Sequence, residues 1–191
     1  ISSEIFRYDT GWGFMILILG VITMFGGAQL GIFSINTKRT LACSSMSQIG
    51  FILVGIGMQG LLGEENAIAV HGTMLHMVNH SLIKLTLFMA AGVVYMNLHE
   101  LDLNKIRGFG KGRPLLTIAF LTGGLSISGI PGFSGYVSKT LLHESIVEYM
   151  HDITQTQPVG TYRMIEIIFL ITGGMTLAYM TKLFVAVFIE D

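Results

Sequence analysis

Three side chains that can bind a proton recur every four residues within the apolar segment HGTMLHMVNHSLIKLTLF (71–88). His76, His80 and Lys84 would fall within about 80° of one another on a helix, which turns about 100° per residue. Imidazole exchanges protons near neutral pH, and groups four residues apart are neighbours on a helix surface. The pattern predicts a proton relay in which each group reaches the next directly or through one water molecule.

Two other interpretations of this stripe stay open. Polar side chains in membrane bundles often form hydrogen bonds between helices. A His-x-x-x-His pair on a helix can also ligate zinc, but the stretch from His76 to His80 lacks the glutamate of the H-E-x-x-H signature and is followed by no obvious third ligand. His71 lies roughly half a turn away from the stripe, so we expect it to be a residue at the mouth of the path or to have no role.

Lys139 is a second charged group in an apolar setting, because it follows the Gly/Pro-interrupted stretch GIPGFSGYVS (129–138). A lysine at the centre of a membrane helix costs about 2.5–3.5 kcal/mol, so such residues usually face a partner or a water-filled cavity. Non-helical backbone at membrane depth is likewise tolerated only inside protein or along a cavity. Lys139 is therefore predicted to mark an ion path. His143 and Glu144 follow it, and we expect them either to extend that path or to cap the membrane boundary.

The composition provides the setting for these groups. Of 191 residues, 51% are hydrophobic and 12% are charged, about half the charged share of an ordinary soluble domain. The net charge of −1 and the scattered basic residues give no nucleic-acid signal. Cys43 is the single cysteine, so no internal disulfide can form. The chain is predicted to be surrounded by lipid.

Apolar stretches of about 20 residues predict an all-α membrane protein with five transmembrane spans. The spans cover about 12–34, 41–62, 67–98, 115–150 and 164–188. The fourth is predicted to be a discontinuous helix, broken near 129–135. Residues 12–188 form one five-helix unit after an N-terminal loop at 1–11. Because the chain starts without a methionine or a cleavable signal, we expect it to be a piece of a longer polypeptide.

Lysine and arginine residues in the loops predict the orientation. Loops 35–40 and 99–114 lie on one face and carry six of them, namely Lys38, Arg39, Lys105, Arg107, Lys111 and Arg113. The other face carries Arg7 and Arg163. The first face is therefore predicted to be cytoplasmic. Lys182 lies near the end of its span on that side and is predicted to be an anchor whose ammonium extends to the interface.

Three segments, in this order and spacing, carry a family resemblance. They are INTKRTLACSSMSQIGFILVGIG (35–57), HGTMLHMVNHSLIKLTLFMAAG (71–92) and SGIPGFSGYVSKTLL (128–142). Together they resemble the antiporter-like membrane subunits shared by respiratory complex I, membrane-bound energy-converting hydrogenases and multisubunit cation/proton antiporters. The similarity covers most of residues 12–188.

The resemblance implies a place for each candidate residue. Members of this family contain two inverted five-helix repeats, each forming a half-channel, and this chain looks like the second repeat. Lys139 then matches the broken-helix lysine near the channel exit. Lys84, His80 and His76 match the connecting relay, and Lys38 matches the family's lysine at a helix start. The glutamate–lysine pair of the first repeat has no counterpart here.

Two positions depart from the family pattern. Many relatives have an acid directly after the broken-helix lysine, where this chain has Thr140, and another two residues before the Lys-Arg pair, where it has Asn36. Either change would alter hydration or charge near the relay. The residues of the 100–114 linker and of GYVSKTLLHES (135–145) resemble the hydrogenase-type or bacterial complex-I-like branch more than the sodium antiporters.

The resemblance implies a function in proton translocation within a redox-driven complex. The chain would be a membrane subunit of a complex I-like NADH:quinone oxidoreductase or of an energy-converting hydrogenase. A multisubunit Na⁺/H⁺ antiporter subunit and, more distantly, a membrane-embedded metallohydrolase are the alternatives.

Other membrane subunits, the lipid bilayer, and protons or Na⁺ are the expected partners. No cofactor is expected in this chain, because no G-x-G-x-x-G follows a strand; iron–sulfur, flavin or nickel–iron centres would lie in partner subunits. The membrane would be a bacterial or archaeal cytoplasmic membrane or an organellar inner membrane.

Overall fold

The computed structural model describes residues 10–154 and 159–190, and this part of the chain folds into six α-helices. In chain order they are α1 (Thr10–Phe33), α2 (Thr37–Leu62), α3 (Ala67–Leu98), α4 (Pro114–Ser128), α5 (Ser134–Ile153) and α6 (Gly160–Phe188). A single 3₁₀ turn, Gly63–Glu65, follows α2. The predicted all-α class is confirmed. Most of the predicted N-terminal loop lies outside the described residues, and α1 already includes 10 and 11.

Capping explains why α2 begins four residues before the predicted apolar run. The side chain of Asn36 accepts a hydrogen bond from the main-chain N–H of Arg39 at 3.2 Å. This bond satisfies one of the free N–H groups of the first turn, so the polar residues Thr37 and Lys38 can be helical. Asn36, which replaces the acid of the family pattern, therefore caps the start of α2.

Four helices are long and apolar enough to cross a membrane: α1, α2 with its 3₁₀ turn, α3 and α6. The apolar helix α4 has 15 residues, which corresponds to about 22 Å at about 1.5 Å per residue. That is shorter than the hydrocarbon core of about 30 Å. An element of this length therefore cannot cross the hydrocarbon core alone.

Helices α1 and α2 approach closely through glycine. A Cβ atom added to Gly27 of α1 would lie 2.5 Å from the main-chain N of Ser47, and one added to Gly50 of α2 would overlap the backbone of Met24. Without a hydrophobic driving force between helices in lipid, small residues that let backbones touch are the common means of packing. This pair fixes the face of α2 that is turned toward the other helices.

The long connection 99–113 closes one end of the bundle. Leu103 N donates to Ile35 O at 2.9 Å, before α2, and Gly110 N donates to Val187 O at 2.8 Å, at the end of α6. Ile106 is fully buried beneath the connection. We call this end of the molecule the loop end. The turn after α2, the end of α5 and the start of α6 lie at the opposite end.

Two buried apolar clusters occupy the two ends. The cluster at the loop end includes Leu41, Leu87, Phe120 and Leu183. The cluster at the opposite end includes Leu17, Phe51, Leu142 and Phe169. The buried charged groups described next contact Leu41 in the first cluster and Phe51 in the second, so they extend from one cluster to the other.

Candidate functional site

The polypeptide is non-helical between α4 and α5. Gly129 ends α4 with φ of 78°, and Gly132 follows with φ of 95°. Both conformations lie in the region that glycine adopts without steric cost, and Pro131 between them has no N–H to continue a helix. The carbonyl groups of Leu125 and Ser126 accept hydrogen bonds from the N–H groups of Gly129 and Ile130. That of Ile127 lacks the donor that a continuing helix would provide, because the residue four positions later is Pro131.

Lys139 binds one of these carbonyl groups. Its Nζ donates a hydrogen bond of 2.8 Å to the main-chain oxygen of Ile127 and lies 4.7 Å from the centroid of the Phe51 ring. The side chain is only 8% exposed. The C-terminal end of a helix carries partial negative charge, and the face of an aromatic ring attracts a cation. Both contacts favour an ammonium ion at this position.

His76 lies beside Lys139, across the interface between α3 and α5. Its Nδ1 is 3.0 Å from the hydroxyl of Ser138, the residue before Lys139. Its ring is 5.9 Å, centroid to centroid, from that of Phe51. Nε2 is buried and has no hydrogen-bond partner among the described residues. One ring nitrogen therefore contacts α5, and the other faces no hydrogen-bond partner in the described part of the chain.

His80 and Lys84 continue the line along α3 toward the loop end. Lys84 is buried, and its Nζ donates a hydrogen bond of 2.8 Å to Leu41 O of α2. His80 is half-buried, with a buried Nδ1 that has no partner within the described part of the chain. His76, His80 and Lys84 follow one another at intervals of four residues on α3, a spacing at which side chains are neighbours, and Ser138, which contacts His76, directly precedes Lys139. The structure thus brings these four predicted residues into one continuous row.

Polar contacts at the start of α5 fix the far end of this row. Asn79 donates from Nδ2 to Ser134 O at 2.9 Å, and the hydroxyl groups of Ser126 and Ser134 are 2.9 Å apart. A Cβ atom on Gly135 would overlap the carbonyl oxygen of Ser126. The first turn of α5 is therefore held against α3 on one side and against α4 on the other.

Three of the residues singled out in the sequence lie apart from the row. Lys38, His71 and Glu144 are all exposed. The Nζ of Lys38 is 5.8 Å from the centroid of the Tyr95 ring, on the outer side of α2 and α3. In the described part of the chain, no hydrogen bond or ion pair joins these three residues to His76, His80, Lys84 or Lys139.

His143 belongs to a different cluster, one that the sequence did not reveal. Its Nε2 is 3.1 Å from Oε1 of Glu166, and Arg163 donates to Oε2 of Glu166 at 3.0 Å. Glu166 is 12% exposed and Arg163 is 68% exposed. Arg163 and Glu166 are three residues apart in α6, a spacing at which opposite charges pair. This spacing is the feature of the sequence that could have indicated the cluster. The cluster lies between Lys139 and the opposite end of the bundle.

Lys182 is half-buried and contacts the main chain of the protein. Its Nζ donates hydrogen bonds of 2.6 Å to the main-chain oxygens of Ile32 and Ser34. These carbonyl groups follow the last turn of α1, where a cation is favoured. Lys182 therefore joins α6 to the end of α1, and its role as an interfacial anchor stays a prediction.

No three His, Cys, Asp or Glu side chains converge into a metal-binding group within residues 10–154 and 159–190. A structural or catalytic zinc site requires at least three such protein ligands.

The sequence profile of the family described as NADH:quinone oxidoreductase/Mrp antiporter, TM matches residues 2–164. Formate hydrogenlyase subunit 3 of Escherichia coli is 34% identical over 139 residues, which are 70% of this chain and 23% of that protein. NAD(P)H-quinone oxidoreductase chain 4 2 of Thermosynechococcus vestitus is 32% identical over 161 residues, which are 84% of this chain and 28% of that protein. This chain thus spans about a quarter of each relative.

A chain in the structure of the Mrp complex from a Dietzia species has the same fold. The two superpose with a TM-score of 0.78 at 23% sequence identity, over 92% of this chain and 18% of that chain. This likeness concerns the arrangement of the helices.

Proposed function

The chain belongs to the family of transmembrane subunits shared by NADH:quinone oxidoreductases and Mrp antiporters, and from this premise we propose that it forms a proton-conducting half-channel. It is an integral membrane protein. The observation that carries the proposal is the buried ammonium of Lys139 at the break between α4 and α5, directly after the serine that binds His76.

The proposed route runs along α3. Protons pass between Lys84, His80 and His76 and then reach Lys139, through hydrogen bonds or single water molecules. Neighbouring groups of the row are about one helical turn apart, or about 6 Å. Two unit charges about 8 Å apart interact by about 2 kcal/mol at an effective dielectric constant of about 20. A proton on one group therefore lowers the affinity of its neighbour, which drives the transfer forward.

The proposed exit lies beyond Lys139, toward the opposite end. His143 follows Lys139 by one turn of α5 and binds Glu166, which binds the exposed Arg163. Lys139 is buried, His143 is 26% and Glu166 12% exposed, and Arg163 at the end of the cluster is 68% exposed. A series of polar groups that ends in an exposed one is what a path from the membrane interior to water requires. In this assignment His143 is accessory to the row, while Glu144 and His71 line the outer mouth.

The proposed membrane topology follows from the same geometry. Helices α4 and α5 together form one interrupted span, which gives five spans in all. Lys38 and the other five basic residues lie at the loop end, which supports a cytoplasmic location for loops 35–40 and 99–114. In the assembled complex, Lys38 would connect this half-channel to the neighbouring one.

The parent assembly is proposed to be a redox-driven complex of the hydrogenase or complex I type. Its iron–sulfur, flavin or nickel–iron centres would lie in partner subunits. The runner-up is a subunit of a multisubunit Na⁺/H⁺ antiporter, supported by the likeness of the fold to a chain of the Mrp complex. A mass-spectrometric inventory of the native complex separates them, because only the first assignment predicts redox subunits.

Proton transport by the complete complex in sealed vesicles tests the proposed half-channel. Lys139→Ala is expected to leave assembly intact and to abolish most proton translocation. Lys105→Ala is the matched control, since Lys105 is 65% exposed in the loop and binds Glu100. Unchanged translocation in Lys139→Ala, with the complex assembled, would reject the assignment.

A further inference from the structure

The break between α4 and α5 lies on the outer surface of the described chain. The backbone is non-helical from Gly129 to Phe133, and Pro131, Gly132 and Ser134 are exposed. A non-helical backbone presents peptide groups that a helix would pair internally. Within the hydrocarbon core such groups do not face lipid; they are covered by protein or line a water-filled cavity.

The depth of the break follows from its contact with α3. Asn79 donates a hydrogen bond to the main-chain oxygen of Ser134, the first residue of α5. Along α3, Asn79 lies about 18 Å from the end at Ala67 and about 28 Å from the end at Leu98, at about 1.5 Å per residue. A hydrocarbon core of about 30 Å that α3 crosses completely must include this point, because neither distance reaches about 30 Å. The exposed break therefore lies inside the core.

A polar stripe continues from the break along the outer face of α5. Tyr136, Thr140 and Glu144 are spaced by four residues and share one face of the helix. Tyr136 is 43% exposed, Glu144 is exposed and Thr140 is half-buried. Glu144 belongs to none of the ion pairs in the described part of the chain. Lipid offers no hydrogen bond to a phenol within the core and no counter-charge to a carboxylate near its boundary.

Apolar surface beside the break favours a protein neighbour over a water-filled cavity. On α4, Leu115, Ile118 and Leu121 are exposed. Between α4 and α6 lies an apolar groove of about 200 Å³, lined among others by Leu177 and by Ser128, the last residue of α4. Its volume is below the about 300–1,000 Å³ of ordinary ligand sites, so it suits single side chains of a packed helix. Water at this face would leave the apolar surface unburied.

We propose that a membrane helix of a neighbouring subunit covers the break and the stripe formed by Tyr136, Thr140 and Glu144. The surface determines the chemistry of this helix. Its apolar side chains face the groove between α4 and α6, a hydrogen-bonding side chain faces Tyr136, and a lysine or arginine pairs with Glu144. Polar contacts of this kind join helices within membranes. The inference rests on the proposed function for the source of the helix, since that function places the chain among other membrane subunits.

Spin-label accessibility tests the cover on the full-length subunit in its native complex, reconstituted into liposomes. In a Cys43→Ser background, Tyr136→Cys and the control Val78→Cys each carry a nitroxide. Val78 precedes Asn79, so it lies at the depth of the break, and it is 58% exposed on α3. Collisions with oxygen report lipid, and collisions with a water-soluble nickel chelate report water. The label at 136 should collide with oxygen several-fold less often than the label at 78 and should be shielded from the chelate.

Photo-crosslinking identifies the helix without removing the aromatic ring at 136. With p-benzoylphenylalanine in place of Tyr136, the joined peptide should come from another subunit. It should carry a lysine or arginine about eight residues from the joined position, which matches the distance of about 12 Å between Tyr136 and Glu144 along α5. Glu144→Lys should lower the assembled fraction several-fold, because like charges across an interface disfavour association. Replacing the partner's basic residue by glutamate should restore assembly, and Glu65→Lys, in the exposed turn after α2, is the control that should assemble normally.

Each result decides the proposal. A shielded label at 136 and a crosslink to a basic helix of another subunit support it. Oxygen collisions at 136 that equal those at 78 would show lipid at the stripe, and collisions with the chelate would show water; either overturns it. A crosslink within the same polypeptide, or assembly that Glu144→Lys leaves unchanged, overturns it too. Proton transport that persists in Lys139→Ala would reject the proposed half-channel and leave a shielded, crosslinked interface standing.

Discussion

The ammonium of Lys139 donates a 2.8 Å hydrogen bond to the main-chain oxygen of Ile127, across the break between α4 and α5. Ile127 is the second-last residue of α4, so the bond joins the end of one helix to the second turn of the next. An ammonium that loses a proton keeps two of its three N–H donors but loses the attraction between its charge and the helix end. The protonation state of Lys139 and the geometry of the break are therefore linked.

This link predicts that Lys139→Met loosens the break. Methionine retains the length and apolar character of the side chain but cannot bind Ile127. Amide hydrogen exchange at 129–134 should become faster, while exchange in the middle of α1 and α2 should not change. Proton transport should fall on the order of 10²-fold, the lower end of what one positioned proton-transfer group contributes. Slow exchange at the break in Lys139→Met would show that Lys139 does not hold the two helices together.

A substitution at Gly135 should have a purely steric effect at the same junction between α4 and α5. A Cβ atom there would overlap the carbonyl oxygen of Ser126, and neither backbone can move without displacing α4 or α5. Gly135→Ala should therefore destabilise the protein by more than the about 1–3 kcal/mol typical of an overpacked core.

Gly173→Ala is the control for this substitution, because a Cβ atom at Gly173 meets nothing within 4 Å. Thermal unfolding of both variants in detergent measures the difference. Equal midpoints for the two variants would show that the approach of α5 to α4 is not close.

The sequence predicted the row of buried charges but not what each of them binds. Helical spacing alone placed His76, His80 and Lys84 on one face, and the Gly/Pro stretch predicted the break before Lys139. Spacing along one helix carries no information about the helix opposite. The partners Leu41 O and Ile127 O are main-chain atoms, which any residue type would provide.

The same reasoning explains what the sequence could not reveal. Glu166 pairs with His143 over 23 residues, and Gln48 lies near Tyr179 over more than 130 residues. Contacts of this range depend on how helices pack, and in α1 and α2 that packing depends on individual glycine residues such as Gly27 and Gly50. From the sequence alone, a charge near the end of a span, such as Arg163, therefore indicates only the orientation of the chain in the membrane.

Glu100 in the loop at 99–113 provides a prediction about pH. The hydrogen bond from Lys105, together with those from the N–H groups of Leu101 and Asp102, lowers the pKa of the Glu100 carboxyl below its ordinary value of 4.5. A lowered pKa in the folded state means that the ionised carboxyl stabilises the loop above its unfolded pKa. This stabilisation is lost as the pH falls through the folded pKa.

Lys105→Ala should therefore raise the pKa of Glu100 toward the ordinary value. A ¹³C NMR titration of the Glu100 carboxyl in detergent measures the change directly. Lys111→Ala, which removes another exposed lysine of the same loop, should not change the pKa of the Glu100 carboxyl. A titration of Glu100 that does not move in Lys105→Ala would show that the ion pair at 2.8 Å does not persist in solution.

Glu166 should be required at the proposed exit. Glu166→Gln keeps the size of the side chain but removes the charge that binds both His143 and Arg163. Proton release should slow, and because the row upstream is intact, the loss should be smaller than that in Lys139→Ala. Glu65→Gln is the control, since Glu65 is an exposed carboxyl in the turn after α2. Vesicle transport rates that are equal for both glutamine variants would place the exit elsewhere.

Two substitutions of Lys84 can show whether this residue transfers protons or only anchors two helices. Its Nζ binds Leu41 O at 2.8 Å in the buried interface between α2 and α3. Lys84→Arg retains a positive charge and can still donate to this carbonyl, but a guanidinium group does not release its proton in a protein. If Lys84 is an anchor, arginine should restore transport that Lys84→Met lacks. We expect instead that both variants assemble and that both lose transport on the order of 10²-fold.

The double variant provides the second half of this test. If Lys84 and Lys139 lie in series on one path, then Lys84→Met combined with Lys139→Met should transport no more slowly than the slower single variant, because a blocked path cannot be blocked twice. Independent paths would make the two losses multiply, as effects at uncoupled sites do. Initial rates of proton uptake in vesicles, normalised to assembled complex, measure all four proteins. Multiplying losses, or full transport in Lys84→Arg, would remove Lys84 from the proton path and leave it as a structural contact between α3 and α2.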